Sequence, residues 1–259
     1  MHASYLVKRY SFIPLELVRK AFIEKDPGIF PPNSLLITFD DGLKSNCELL
    51  GVFKNFRIRP TIFLPTGLVG TNRKIWTRTL DRHSAKENEI YKRLISLPNA
   101  QKDKELFNYN RHYYDKEYPE REILNEAEIG KMLPHVDFQS HGITHAIFTK
   151  CSDQELRQEL TESKKKIENL TGKECFAVAY PNGEFGQREI MMAEEAGYCL
   201  GREALGPGLN KPFGSSMALK AVSMKTGFST EDVEKALYTG ATKFLLNSLA
   251  NSVSLGKPV

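Results

Sequence analysis

Two carboxylates, two imidazoles and one Pro-Asn-Gly turn are the residues of this chain whose types and spacing could do chemistry. Asp40 and Asp41 end the run Thr38-Phe39-Asp40-Asp41-Gly42, where an apolar stretch gives way to adjacent acids and a glycine. Neighbouring side chains diverge, so one acid can ligate a cation while the other faces a reactant. Alone, the same triplet also reads as a plain turn, because Asp and Gly are turn formers. His141 and His145 stand at i and i+4 in Ser140-His141-Gly142-Ile143-Thr144-His145. On one helical turn, two rings at that spacing share a face and can reach one ion. With six histidines in the chain, such a pair also arises by chance. Taken together, two imidazoles and one carboxylate form the open facial set of a catalytic metal site, whose remaining positions hold water and substrate. A third feature, Ala179-Tyr180-Pro181-Asn182-Gly183, carries a Pro and a Gly that set a tight turn. Such a turn can aim a backbone N–H at a developing oxyanion.

Each feature follows a run that reads as a strand. The expected strands are Ser34–Phe39, Thr61–Leu64, Val136–Gln139 and Phe176–Tyr180, separated by helical patterns. This is the βαβ rhythm of a mostly parallel sheet, whose functional groups gather at the carboxyl ends of strands. The clearest helix is Ser152–Leu170, with Asp153 and Glu155 in its first turn, Leu156, Leu160 and Ile167 facing inward, and Gly172 beyond its end. Others are expected over Arg188–Ala196 and Thr230–Leu249. The apolar face of the last, Val233, Leu237, Phe244 and Leu245, suits packing on the barrel or on a second copy, giving a homo-oligomer through the C-terminal helix. From about Thr71 to Glu128 the chain turns polar, basic and Tyr-rich, and reads as an insertion of helices and loops over one face.

Composition narrows the classes. The chain has 259 residues, 41% hydrophobic and 26% charged, enough for one catalytic domain over 1–259. A net charge of +4 with interspersed signs gives no nucleic-acid footprint. The apolar runs are strand-sized, well short of the roughly 20 residues of a transmembrane span. Residues 1–10 lack an apolar signal region, so a cytoplasmic location is expected. Cys47, Cys151, Cys175 and Cys199 form no C-x-x-C pair and are expected reduced.

The ordered set TFDDG, SHGITH and FAVAYPNG, with the intervening helix and Leu170-Thr-Gly172, resembles the polysaccharide deacetylase family, carbohydrate esterase family four. The likeness spans roughly Pro32 to Gly197 and is nearest the exopolysaccharide and cell-surface glycan branch; Ile75-Trp76 continues it. It implies a distorted (β/α) barrel with fewer than eight strands and a divalent metal, commonly zinc, and the polar insertion then falls after the second strand. Residue by residue, Asp41, His141 and His145 match the metal ligands, Asp40 the catalytic base, and the backbone N–H of Asn182 the oxyanion donor beside Tyr180 and Pro181. The implied substrate is an N-acetylated glycan or a lipid-linked saccharide. Two departures stand out. Ala179 occupies the place of an Arg that tethers the catalytic Asp in many relatives, leaving Arg188 or Arg202 for that task. No His follows His145, so Lys220, His83 or His112 must be weighed as proton donors. The N-terminus also starts in what reads as a helix, with a first strand of longer relatives missing or replaced. Alternative readings are a small-molecule amidase of the same fold, allantoinase-like, and a non-catalytic glycan-binding relative.

Overall fold

Parallel strands need a crossover between each pair, and helices supply it here. The structure is a computed structural model that describes residues 2–110, 112, 115–203, 210, 214–224 and 227–237. Helix α1 (His2–Leu6) leads to β1 (Ser11–Phe12), and α2 (Leu15–Glu24) crosses to β2 (Ser34–Leu35), which pairs in parallel with β1. The same extended run continues as β3 (Thr38–Phe39). It opens a parallel five-stranded sheet in the order β3-β4-β5-β6-β7, with β4 (Thr61–Leu64), β5 (Asp137–Ser140), β6 (Ala177–Ala179) and β7 (Leu200–Arg202). Leu219 pairs in parallel with Arg202 beyond β7. The intervening helices are α3 (Leu50–Phe56), α4 (Ala85–Leu94), α5 (Asn99–Asn110), α6 (Glu126–Met132), α7 (Asp153–Thr171) and α8 (Gln187–Glu195). This is the expected distorted (β/α) barrel with fewer than eight strands. Helices α4 and α5 form the insertion after the second strand of the main sheet.

Strand alternation sorts the core into two layers. On β4, Ile62 and Leu64 join the helices in a cluster with Phe138, Leu156, Leu160, Ile167, Val178 and Tyr180. Phe63 faces the other way, into a barrel interior with Ile13, Ala177, Ala179, Leu200 and Leu219. Helix α7 is positioned by a capping box: the Ser152 side chain accepts from Glu155 N–H, and the Glu155 side chain returns to Ser152 N–H. Gly172 ends the helix at φ +65°.

The differences from expectation are local. The single strand expected at 34–39 is divided between two sheets. A first strand does exist, at Ser11–Phe12, but its two residues are too few to show a period. Strand β7 also went unmarked, since Gly201 and Arg202 are weak strand formers. Gly201 is required there: a Cβ would lie 2.4 Å from Met217 O and 2.5 Å from the Tyr180 hydroxyl. Of the C-terminal helix, 230–237 is described and Val233 is buried within the chain; 238–249, with Phe244 and Leu245, lies outside the described residues. No described helix is long and apolar enough to cross a membrane.

Candidate metal centre and its rim

The parallel order places the carboxyl ends of β3, β5, β6 and β7 on one rim, and each end delivers a residue of the site. Asp40 and Asp41 follow β3, His141 follows β5, Asn182 lies three residues past β6, and Arg202 ends β7. The loops turn sharply at non-glycine residues in the left-handed region: Asp41 at φ +69°, His145 at +60° and Asn182 at +60°. Asp, His and Asn tolerate that region better than most residues, and adjoining glycines share the turning. Gly42 (φ +58°) cannot be replaced without moving Leu64, whose Cδ2 lies 2.3 Å from the site of a Cβ.

Asp41, His141 and His145 converge. His145 Nε2 lies 3.4 Å and His141 Nε2 3.7 Å from Asp41 Oδ1, and the two rings meet edge to face with centroids 4.7 Å apart. Ligands about 2.1 Å from a tetrahedral zinc sit about 3.4 Å from one another, so the donor atoms are spaced as one ion requires. Among the described residues, this is the one group of three such side chains with that spacing. The tautomer fits as well. His141 Nδ1 lies 2.8 Å from Ala179 O, which can only accept, so Nδ1 carries a proton and Nε2 is the nitrogen turned toward Asp41. Burial, reinforced by the neighbouring His141, pushes His145 down to about 4, leaving a neutral imidazole ready to ligate. The residues present therefore fit a divalent cation.

The i and i+4 spacing does not arise from a helical turn. Residues 141–147 form an irregular loop, held by a residue that motif reading passed over. Glu159, on the buried face of α7, accepts from Ile143 N–H at 2.5 Å, Thr144 N–H at 3.2 Å and Thr144 Oγ1 at 2.7 Å. The signal was there: a carboxylate set among the inward-facing Leu156, Leu160 and Ile167.

Asp40 is tethered by Arg202, whose Nη2 donates to Asp40 Oδ1. Arg202 is itself buried, with its guanidinium 5.3 Å over the Phe63 ring. Burial would raise the proton affinity of Asp40, but Arg202 and the two imidazoles outweigh it and hold the carboxyl below its usual range. Arg188, the other candidate, is spent elsewhere, on Asp153 Oδ1 and Cys151 O. The acids face outward, with Asp40 and Asp41 side chains 33% and 27% exposed, while both imidazoles are buried.

On the third loop, Asn182 Nδ2 donates to Glu184 Oε1, and Asn182 Oδ1 accepts from the Tyr91 hydroxyl at 3.1 Å. The Tyr180 side chain points into the core, stacked on Phe185 with its hydroxyl donating to Met217 O, so only its backbone borders the rim. Pro181 is also buried. Of the expected proton donors, His83 and Lys220 are exposed. His112 is enclosed in the insertion against the Tyr118 hydroxyl at 3.0 Å, and burial together with Lys102 and Lys116 pushes it down to about 4.

The polysaccharide deacetylase family model matches residues 28–201, which contain every strand end just described except that of Arg202. A curated relative, YxkH of Bacillus subtilis (strain 168), whose own designation as a polysaccharide deacetylase is provisional, is 28% identical over 79 residues; the match spans 30% of this chain and 28% of that protein. In fold, the chain is similar to the Streptococcus pyogenes deacetylase PplD, solved with acetate, at TM-score 0.63, 16% identity and coverage of 89% of this chain and 80% of that one. It is equally similar to a de-N-acetylase from Aggregatibacter actinomycetemcomitans, at TM-score 0.63, 14% identity and coverage of 91% and 87%. The likenesses to solved structures establish the fold, and the family match over two thirds of the residues, a range that includes all three motifs, places the chain in the polysaccharide deacetylase family.

Proposed function

We propose that the chain is a metal-dependent hydrolase that removes N-acetyl groups from an amino-sugar glycan or a lipid-linked saccharide, releasing acetate. The observation that carries this reading is the convergence of Asp41, His141 and His145 beside a second, separately tethered carboxylate. Asp41, His141 and His145 would hold the ion, zinc being the best fit to a donor set of two imidazoles and one carboxylate. Bound there, it would polarise the acetyl carbonyl and acidify water.

The chain's own groups supply the rest. Arg202 occupies Asp40 Oδ1, which leaves Oδ2 to take the proton of the attacking water. The Asn182 backbone N–H donates to the oxygen on which negative charge develops. Once protonated, Asp40 would pass that proton to the departing amine. The exposure of both acids suits a substrate too large to be enclosed. A cavity of about 400 Å³, lined by Arg19, Arg59, Asp137 and Phe176, lies at the amino ends of the strands, opposite this rim.

The test is acetate release from N-acetylglucosamine oligomers by zinc-loaded protein. Asp40→Asn should lower kcat by about 10²–10⁴, the range for a lost general base, and chelation should abolish release reversibly. Tight metal binding with no release from any acetylated sugar would overturn the reading.

A further inference from the structure

The insertion touches all three loops of the site at their turning points. Leu124 N–H donates to Gly42 O, next to Asp41, at 2.9 Å. Trp76 Nε1–H donates to the carbonyl of His145 at 3.2 Å. The Tyr91 hydroxyl donates to Asn182 Oδ1 at 3.1 Å. Asp41, His145 and Asn182 are the three non-glycine residues of these loops at positive φ, a conformation that non-glycine residues keep only where the surroundings impose it.

Two of these donors belong to one stack. The Trp76 and Tyr91 rings lie 6.0 Å apart at 21°, with Lys102 Nζ 4.7 Å over Trp76 and the Arg82 guanidinium 4.1 Å over Tyr91. Trp76 is fully buried and Tyr91 nearly so. Lys102 is also buried, with Asp103 Oδ1 2.7 Å from its ammonium. Stacking on each other, with a cation over each ring, restricts the orientation of both. That orientation sends one hydrogen bond to the metal-ligand loop and the other to the loop of the oxyanion donor.

We infer that the insertion acts as a brace for the catalytic rim, in which Trp76 and Tyr91 are positioning residues that set the placement of His145 against Asn182. Neither touches the reacting atoms. Trp76 acts through the His145 carbonyl on the ligand geometry, and Tyr91 acts through the Asn182 side chain on the direction of its backbone N–H. The inference rests on the metal-dependent deacetylase reading.

The experiment uses the full chain with zinc for turnover and with cobalt(II) for its absorption spectrum. Tyr91→Phe keeps the ring and the stack. It should lower kcat about tenfold, as expected for one lost positioning hydrogen bond, with KM and the cobalt spectrum unchanged. Added to Asn182→Ala, it should cost no more. Trp76→Phe should shift the cobalt d–d bands and weaken cobalt binding about tenfold, in the range for a lost support behind a metal ligand. Wild-type kcat and spectrum in both variants, with only a lower melting temperature, would overturn the brace. Should the wild-type chain release no acetate, the deacetylase reading falls, while the cobalt spectra of the two variants still decide whether Trp76 governs the ligand geometry.

Discussion

Asp40 is pulled in opposite directions. Burial favours its neutral form, and the charge of Arg202, with smaller help from the neighbouring imidazoles, favours the carboxylate, which wins. In the general-base role proposed for Asp40 the carboxyl must be ionised, so the rising, acid limb of the kcat/KM profile should follow this balance. Arg202→Gln removes the largest stabilising charge, so the Asp40 pKa rises and the acid limb should move to higher pH. It should also cost about 10–100-fold in kcat/KM, because the carboxylate is no longer held in place. A pH profile that keeps its acid limb would assign Arg202 a packing role only. Motif reading named Arg202 as one of two candidates. The choice against Arg188 came from the fold, because Arg188 lies on α8, where it pairs with Asp153.

At the scale of the element, α7 braces the histidine loop through Glu159. Burial raises the Glu159 pKa above its ordinary 4.5, against the opposing hydrogen bonds from Thr144 and Ile143. A carboxyl whose folded-state pKa is raised contributes stability that is complete below its unfolded pKa and is lost as pH rises through the folded value. The Glu159 contribution to stability is therefore lost as pH rises above about 4.5, and comparison of wild type with Glu159→Gln in denaturant titrations should show that component missing from the variant. Parallel slopes would refute this account. Glu159→Ala strands the Ile143 and Thr144 donors and should cost about 2–4 kcal/mol, together with weaker metal binding as the loop relaxes. Gly142 reports the same tightness: its φ is +75°, and a Cβ would stand 2.6 Å from Glu159 Oε2.

For the molecule as a whole, a metal held as proposed would be linked to folding, because the three donors come from two strand ends that only the folded sheet brings together. Zinc at about one hundred times its Kd adds about 2.7 kcal/mol to the folded state, a rise in Tm of roughly 5–10 °C for a chain of this size. Differential scanning calorimetry with and without a chelator measures it. Unchanged melting in zinc would remove the Asp41, His141 and His145 site, and the same three residues mutated to alanine should abolish the shift.

How much was legible beforehand follows from range. The strands ending in Asp40–Asp41, His141 and Tyr180–Asn182, the capped helix α7 and the polar insertion were visible because each is written locally, in periodicity, caps and turn residues. Their parallel order follows from that alternation, and with it the gathering of the motifs on one rim. What the tertiary structure alone decided is pairing across long separations. Arg202 takes Asp40 from 162 residues away, His141 Nδ1 finds a carbonyl on the next strand, and Trp76 and Tyr91 reach loops 69 and 91 residues distant. The short strands at 11–12 and 200–202 belong with these, since two or three residues carry no period and exist as strands only through their neighbours. Local sequence specifies which groups can react, and the direction in which each is held is set by contacts that the chain makes only once it has folded.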